Sequence, residues 1–316
     1  MTRLAALRLV DPSRYVVYLG FVLILAVFSV VLRESGFLTT GNLLNIVQQT
    51  TPISVMAVGM VFVLAAGEID LSIGSVVALS ALVTAVMLRQ HGIVLGILAG
   101  LGTGAAIGLV NGLFVTRLRL PSFLVTLATL DLVAGHARTI TDLQSVPVTN
   151  AWFVELFGSG QLGPVPALVV WSAMALAIGH FVFRQTRFGA HVLAIGDSQS
   201  AARGAGIKVD RVRVAVLVIS ASSAAVAGLL YAGRLQGARY TLGEADVMTV
   251  IAAVIVGGTR LTGGSGSVPG ALVGSLLMGM LNNGLILMGL SVSEQMIVRG
   301  CIILLAVAIS LRQKLT

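Results

Sequence analysis

The chain has 316 residues, of which 57% are hydrophobic and only 10% are charged, whereas soluble domains carry roughly 25% charged residues. With a mean hydropathy of +1.01, this composition excludes an ordinary soluble enzyme and predicts a membrane protein. The single cysteine, Cys301, excludes an intrachain disulfide and a cysteine-based metal cluster.

Apolar runs along the chain predict about ten transmembrane helices, since one crossing takes roughly twenty apolar residues. We therefore expect an all-α, polytopic fold in which residues 1–316 form a single transmembrane domain. The runs cover residues 15–32, 46–66, 71–88, 93–115, 120–135, 165–183, 214–233, 247–256, 268–288 and 297–311. The eighth run is short, so a half-helix or a re-entrant segment is an alternative there.

Lysines and arginines concentrate in alternate loops. If the N-terminal tail, residues 1–14, is cytoplasmic, 14 of the 20 lysines and arginines lie on the cytoplasmic side and 6 on the other. Because cytoplasmic loops carry the excess of these residues, we expect both termini in the cytoplasm. The net charge of +8 then reflects topology, and no nucleic-acid partner is needed to explain it.

Five glycines recur at every fourth residue of the fourth run: Gly96, Gly100, Gly104, Gly108 and Gly112. Small residues at this spacing let another helix backbone approach closely. Because four residues exceed one helical turn, the stripe winds around the helix and favours a crossing partner. We expect a packing surface, with a direct role in a moving gate as the alternative.

The segment AAGEIDLSIGS, residues 65–75, places Glu68 and Asp70 between two apolar runs. Ionisable residues at such a place are costly unless they line a cavity or cap a helix end. Asp70 stands where it could cap the helix that follows, because a carboxylate accepts bonds from free N–H groups of a first turn. The alternative is that both carboxylates border a path for a polar solute.

Residues 65–76 and 256–268 resemble each other, and each segment stands between two apolar runs. An Asn-Gly dipeptide follows each of them, Asn111–Gly112 and Asn283–Gly284. Duplicated halves are common in transporters, so the sequence predicts an internal pseudo-repeat, with chance similarity of two glycine-rich loops as the alternative. The count of runs makes the halves parallel, whereas one re-entrant helix would invert them.

Amide and carboxylate side chains within or beside the apolar runs are the candidates for a transport path. Such groups can exchange hydrogen bonds with the hydroxyls of a polyol that leaves water in passing. The candidates are Gln48, Gln49, Glu68, Asp70, Asn111, Asn282 and Asn283. Asp131 and Arg138, seven residues apart on one helical face, are predicted to form an ion pair.

Four motifs in order carry a resemblance to a known family. They are GMVFVLAAGEIDLSIGSVVALS (residues 59–80), LPSFLVTLAT (120–129), TRFGAHVLAIGDSQSAARGAGI (186–207) and GGTRLTGGSGSVPGALVGSLLMGMLNNGL (257–285). The chain resembles the membrane permease subunits of bacterial ABC carbohydrate importers of the ribose, galactose and xylose type. It departs from that pattern at Glu68 and Asp197, where the family usually has glycine, and at Asp131, where an uncharged residue is common; these departures leave the sugar open.

The resemblance implies a pore of two such chains, identical or homologous, in the bacterial inner membrane. A soluble sugar-binding protein would deliver the solute outside, and a separate ATPase subunit would drive transport from the cytoplasm. In agreement, no G-x-x-x-x-G-K-[ST] string occurs in the chain, so it lacks a P-loop to hold ATP. We expect neither enzyme activity nor a bound cofactor.

The segment of residues 184–213 is the most cationic part of the chain, and it is similar to the cytoplasmic loop by which permeases of this family engage the ATPase. Ser198 or Asp197 could cap a short helix over residues 199–205, which Gly206 would end. The expected coupling residues are Arg187, Phe188, Gly189, Gly196, Ala202 and Gly206. The basic residues of the segment could instead serve only as topology anchors.

Two other functions stay open from the sequence. An ion-coupled secondary carrier for a small polar solute would use Glu68 or Asp131 as its coupling acid. A membrane-embedded enzyme would need a catalytic constellation, but the chain contains no G-x-S-x-G or H-E-x-x-H motif. Its four histidines have no partner four residues away, so a bound metal is not expected.

Overall fold

Thirteen α-helices and four short strands make up residues 16–312, the part of the chain that the computed structural model describes. The helices are α1 (Val16–Val31), α2 (Thr40–Ala65), α3 (Ile73–His91), α4 (Ile93–Arg117), α5 (Ser122–Thr139), α6 (Ala151–Val154), α7 (Ala167–Gln185), α8 (Arg187–Asp197), α9 (Gln199–Gly204), α10 (Val209–Arg234), α11 (Asp246–Val256), α12 (Val268–Leu287) and α13 (Val292–Arg312). The strands are β1 (Val146–Pro147), β2 (Gln161–Leu162), β3 (Val165–Pro166) and β4 (Gly237–Ala238), and a π-helical turn, Glu155–Ser159, follows α6. The predicted N-terminal tail, residues 1–14, lies outside the described residues.

Six of the described helices are long and apolar enough to cross a bilayer, namely α2, α3, α4, α7, α10 and α12. The prediction of an all-α membrane protein is therefore confirmed. Helix α11 has 11 residues, so it is about 16 Å long, roughly half the thickness of the hydrocarbon core. Its length agrees with the short eighth run. The predicted total of about ten crossings depends in addition on α1, α5, α11 and α13.

Helix α2 lies at the centre of the bundle and packs against α7, α10, α11 and α12. Every residue from Val55 to Ala65 is buried, as expected of a helix that is apolar on all its faces. The Thr39 side chain begins the helix by accepting a hydrogen bond from the Asn42 N–H. Near its other end, Phe62 meets Phe183 of α7 edge to face, with ring centroids 5.2 Å apart.

The glycine stripe of α4 packs against crossing helices, as predicted. Its five members, Gly96, Gly100, Gly104, Gly108 and Gly112, are all buried. Gly96 faces the backbone of Leu88 in α3, whereas Gly108 faces the backbone of Leu217 in α10. The stripe thus passes from one neighbour to the other along α4, because its four-residue spacing exceeds one helical turn. The packing role is confirmed, and a role in gating stays a prediction.

The two similar segments, residues 65–76 and 256–268, follow α2 and α11, and these two helices end in the same way. After α2, the Glu68 N–H donates to the Val63 carbonyl and Gly67 has φ +76°. After α11, the Thr259 N–H donates to the Val254 carbonyl and Gly258 has φ +89°. Both helices thus end at a glycine in the left-handed region, which is a common way for a helix to end. The Asn-Gly dipeptides lie on α4 and α12, which are not equivalent, so they do not extend the repeat.

The two turns, residues 66–72 and 257–267, lie side by side on one face of the bundle, which we call the turn face. The Gly264 N–H donates to the Ala65 carbonyl at 3.0 Å, and Gly196 of α8 lies against both residues. Helices α2 and α11 therefore both run toward the turn face. This agrees with the parallel arrangement that the count of apolar runs predicts.

The opposite face carries the long connection between α5 and α7, residues 140–166. It contains α6 and the π-helical turn, and two antiparallel strand pairs order it, β1 with β4 and β2 with β3. Phe157 of the π-helical turn stacks on Trp171 of α7 with ring centroids 5.1 Å apart. The connection is thus tied to the helices by aromatic packing.

The predicted ion pair between Asp131 and Arg138 is wrong. Arg138 instead binds Glu244, with Nη2 and Oε1 2.9 Å apart, and its guanidinium lies over the Tyr240 ring. Seven residues of a helix are separated by about 10 Å along its axis, which is too far for a direct contact. Tertiary packing brings the connection between α10 and α11 to the end of α5 and supplies the nearer carboxylate.

The packing of α4 on α10 can be tested with Gly104→Ala. A Cβ at Gly104 would lie 2.5 Å from the Ala221 carbonyl oxygen, so the helices must separate, and we expect a loss of stability of about 1–3 kcal/mol. Gly102→Ala, on the same helix, is the control, because a Cβ there meets nothing within 4 Å. The measurement is the melting temperature of the purified protein in detergent, and equal melting of the two variants would contradict the packing.

Candidate functional site

A chain of hydrogen bonds joins the turn between α2 and α3 to two neighbouring helices. Asp70 Oδ1 accepts bonds from the Ser72 N–H (3.0 Å) and the Ser72 hydroxyl (2.6 Å). Asn111 of α4 donates to Ser72 Oγ (3.1 Å), and the Thr129 hydroxyl of α5 donates to Asn111 Oδ1 (2.6 Å). The prediction that Asp70 caps the first turn of α3 is wrong: the N-cap residue is Ser72, no side chain accepts a bond from the N–H groups of that turn, and the Asp70 carboxylate binds Ser72 itself.

Asp70 is completely buried although it lies in a turn. Burial raises the pKa of its carboxyl above the ordinary value, while the hydrogen bonds from Ser72 and the proximity of the Ser220 hydroxyl, which forms no hydrogen bond with it, act in the opposite direction. Its second oxygen, Oδ2, has no hydrogen-bond partner within the part of the chain that the structure describes. The predicted pathway residues Asp70 and Asn111 therefore share one buried hydrogen-bond network through Ser72, and their role in a pathway stays a prediction.

Glu68 forms a close ion pair with Arg213 at the start of α10. The side chains are only 3% and 15% exposed, so both charges are largely withdrawn from water. The pair ties the turn after α2 to the helix that follows the cationic segment. Glu68 thus has a countercharge that the sequence did not reveal, since 145 positions separate the two residues.

A basic cleft of about 480 Å³ opens beside this pair on the turn face. It is lined by Thr116, Arg119, Arg203, Asp210 and Arg213. Arg203 binds Asp210 at 2.6 Å in an exposed pair. The cleft lies where α4 ends, α9 packs and α10 begins, so the ends of three helices meet at a positively charged surface.

The other predicted pathway residues lie toward the opposite end of the bundle. Asn283 of α12 and Asn42 of α2 exchange two hydrogen bonds, of 3.0 and 2.9 Å. Asn282 accepts a bond from Arg299 of α13 at 3.2 Å. Gln48 and Gln49 are half-buried on the first part of α2. The predicted pathway set is therefore divided between two regions, and its partners Asn42 and Arg299 were missed.

The cationic segment forms two helices where one was predicted. The short helix is confirmed as α9: the Ser198 side chain accepts a bond from the Ala201 N–H, and Gly206 follows with φ +81°. Helix α8 was missed, although Phe188, Val192 and Ile195 follow the spacing of an amphipathic helix. The positive charge of the segment indicated an exposed loop and not a helix with an apolar face.

Most of the predicted coupling residues face the membrane helices. Gly189 and Ala202 are buried, and Phe188 is half-buried with its ring 6.1 Å from that of Phe62. A Cβ at Gly196 would lie 1.9 Å from the Ala65 carbonyl oxygen. These residues hold α8 and α9 on the bundle, and their role in coupling stays a prediction.

The residues of α9 and the two that follow it are exposed except Ala202, and with exposed Arg187 at the start of α8 they form a separate set. Two of the predicted residues belong to it, Arg187 and Gly206. The others were not predicted as contacts: Gln199, Ser200, Ala201, Arg203, Gly204 and Ala205. We call this set the α9 surface.

Comparison with known proteins agrees with this architecture. Residues 42–307 match the family described as "Branched-chain amino acid transport system / permease component". The chain is 37% identical to the ribose import permease protein RbsC of Escherichia coli K12 over 87% of both chains, and 36% identical to RbsC of Bacillus subtilis over 92% of this chain and 90% of the relative. It is 35% identical to the L-arabinose ABC transporter permease protein AraH of Azospirillum brasilense, over 93% of this chain and 86% of the relative. No solved structure matches the chain significantly.

An all-α bundle with six membrane-length helices and a basic two-helix element on one face defines a multi-pass membrane permease. The family match and the relatives go further: the chain belongs to the permease-component family of ABC importers. The resemblance drawn from the four motifs is thereby confirmed. Permease subunits of this kind form the membrane passage and are not themselves enzymes.

The buried ion pair can be tested with Glu68→Gln. Removing one charge leaves Arg213 largely buried without a partner, and we expect a destabilisation of roughly 3–5 kcal/mol. Asp210→Asn is the matched control in the same cleft, where half of each side chain is exposed and little change is expected. Thermal unfolding in detergent measures both, and similar melting temperatures would show that the Glu68 pair does not stabilise the fold.

Proposed function

We propose that this chain is the pore subunit of an ABC importer that carries a sugar of the pentose class into the cytoplasm. The names of the relatives support the proposal, since ribose and L-arabinose are both pentoses. The family's description refers instead to branched-chain amino acids, so the substrate needs a direct test. The neutral amides Gln48, Gln49 and Asn282 suit a neutral polyol, because each amide both donates and accepts hydrogen bonds.

The proposed topology has ten crossings, formed by the six long helices together with α1, α5, α11 and α13. The turn face is cytoplasmic in this arrangement, and both termini lie on that side. Six of the chain's 20 lysines and arginines fall within residues 184–213, which supports this orientation by the rule that cytoplasmic loops are positively charged.

The proposed partner on the cytoplasmic side is an ATPase subunit that binds the α9 surface. The packing of Gly196 on Ala65 and on Gly264 supports a route for coupling between the ATPase and the membrane helices. A displacement of α8 would reach both turns of the pseudo-repeat at once. The basic cleft adjoins α9 and gives an acidic partner surface an electrostatic reason to approach there.

The remaining partners follow from the proposed mechanism of import. A soluble binding protein on the outer side would hold the sugar with high affinity, and a second copy or homologue of this chain would complete the pore. The half-buried residues Gln48, Gln49 and Asn282 can reach such a pore. Asp70, Asn111 and Asn283 are buried, so in this proposal they fix the helices that line it.

Reconstitution tests the substrate and the energy source together. Liposomes containing the permease, its ATPase and the binding protein should accumulate labelled ribose or arabinose only when ATP is present on the cytoplasmic side. Leucine is the competitor that tests the amino-acid alternative. Accumulation by the chain alone under a proton or sodium gradient would contradict the proposal and favour an ion-coupled carrier.

The coupling surface can be tested with Gly204→Trp. A side chain at Gly204 meets nothing within 4 Å, so the fold should be preserved while the bulk obstructs docking. We expect unchanged melting, weaker copurification of the ATPase and at least a tenfold loss of uptake. Gly135→Trp, also open but near the far end of α5, is the control. Normal uptake by Gly204→Trp would exclude this surface.

A further inference from the structure

Two buried oxygen atoms stand next to each other without hydrogen-bond partners. Asp70 Oδ2 and Ser220 Oγ each lack a partner within residues 16–312, and both residues are 0% exposed. Ser220 belongs to α10, and its hydroxyl lies beside the Asp70 carboxyl. Buried polar groups in folded proteins almost always have partners, and a hydroxyl beside a carboxyl can either donate to the ionised form or accept from the neutral form, so the charge of the surroundings decides between the two.

The other oxygen of Asp70 receives a one-way chain of donors. Thr129 donates to Asn111, Asn111 donates to Ser72, and Ser72 donates to Asp70 Oδ1. Every donor in the chain points toward the carboxyl. Such chains polarise their members cooperatively, and this one ends at Asp70 unless the second oxygen passes a hydrogen onward.

No positive charge balances Asp70 within the described chain. The ion pairs there are Arg138 with Glu244, Arg203 with Asp210 and Arg213 with Glu68. The elements that contact the Asp70 network offer only uncharged groups: Ser72 before α3, Asn111 on α4, Thr129 on α5 and Ser220 on α10. Arg213, two turns before Ser220 on α10, already binds Glu68. An ionised carboxylate in this setting would be strongly disfavoured, and such groups become neutral instead.

We propose that Asp70 is a proton-binding site: it is held as a neutral carboxylic acid whose Oδ2–H donates a hydrogen bond to Ser220 Oγ. The proton completes the chain of donors from α5 through α4 and the α2–α3 turn to α10. A divalent cation fits less well, because Mg²⁺ and Ca²⁺ take about six or more oxygen ligands, whereas only two oxygens here lack partners. The site ties the turn to α10 without a net charge.

The decisive variant is Asp70→Asn. An amide reproduces a neutral acid, since its oxygen accepts from Ser72 and its NH₂ donates to Ser220, so the melting temperature should be unchanged. Asp70→Ala and Ser220→Ala remove the contact and should lower the melting temperature by roughly 2–4 °C for each bond lost. Glu68→Gln is the matched control, because the same chemical change at an ionised, paired carboxylate should destabilise the protein.

Infrared spectroscopy of the full chain in detergent at neutral pH gives a direct readout. The wild type should show the C=O stretching band of a protonated carboxylic acid, Asp70→Asn should lack it, and Ser220→Ala should shift it. Absence of the band, or destabilisation by Asp70→Asn to the level of Asp70→Ala, overturns the proposal. So does an increase in melting temperature with Na⁺ or Ca²⁺ that Asp70→Asn abolishes, which would make the site a cation site. These measurements do not depend on which solute is transported.

Discussion

Close contact between helix backbones is the constraint on which the bundle depends. In a bilayer, apolar side chains gain little by leaving lipid for one another, so helices associate through dispersion contacts and need small residues where they cross. The chain supplies glycine at these crossings: Gly104 lies on Ala221, Gly274 on Ala253 and Gly270 on Gly257. Gly196 of α8 packs on Ala65 by the same kind of close backbone contact. One kind of contact therefore assembles the bundle and attaches α8 to it.

Two buried carboxyls inside this assembly lie where the backbone leaves the helical path. The turn between α2 and α3 contains Glu68 and Asp70, two residues apart, yet the two carboxyls have different partners. Glu68 has a cation in Arg213, whereas Asp70 has only hydroxyl and amide groups as neighbours. The first joins the turn to the start of α10 by charge, and the second joins it to α3, α4 and α5 by hydrogen bonds. The turn is thus fixed on several sides.

Local features of the sequence predicted local features of the structure well. The stripe of glycines identified the crossing of α4, and Ser198 and Gly206 delimited α9. The failures concern partners that are distant in sequence. No local sequence pattern indicates that Arg213 lies beside Glu68 or that Asn42 lies beside Asn283. Arg138 pairs with Glu244 because the connection between α10 and α11 folds back onto the end of α5. Helix α8 was missed for another reason, since the basic residues on either side of it indicate an exposed loop, whereas its own apolar spacing indicates an amphipathic helix.

The shortness of α11 has a consequence for the energy of permeation. A polar molecule that crosses a bilayer loses hydration over the whole depth of the low-dielectric slab, and the cost grows with that depth. In the proposed topology α11 fills only about half of the slab, and the non-helical backbone that continues it must be buried in protein or border water. Where that backbone borders water, a permeating sugar would give up its hydration over a shorter distance than along a full-length helix.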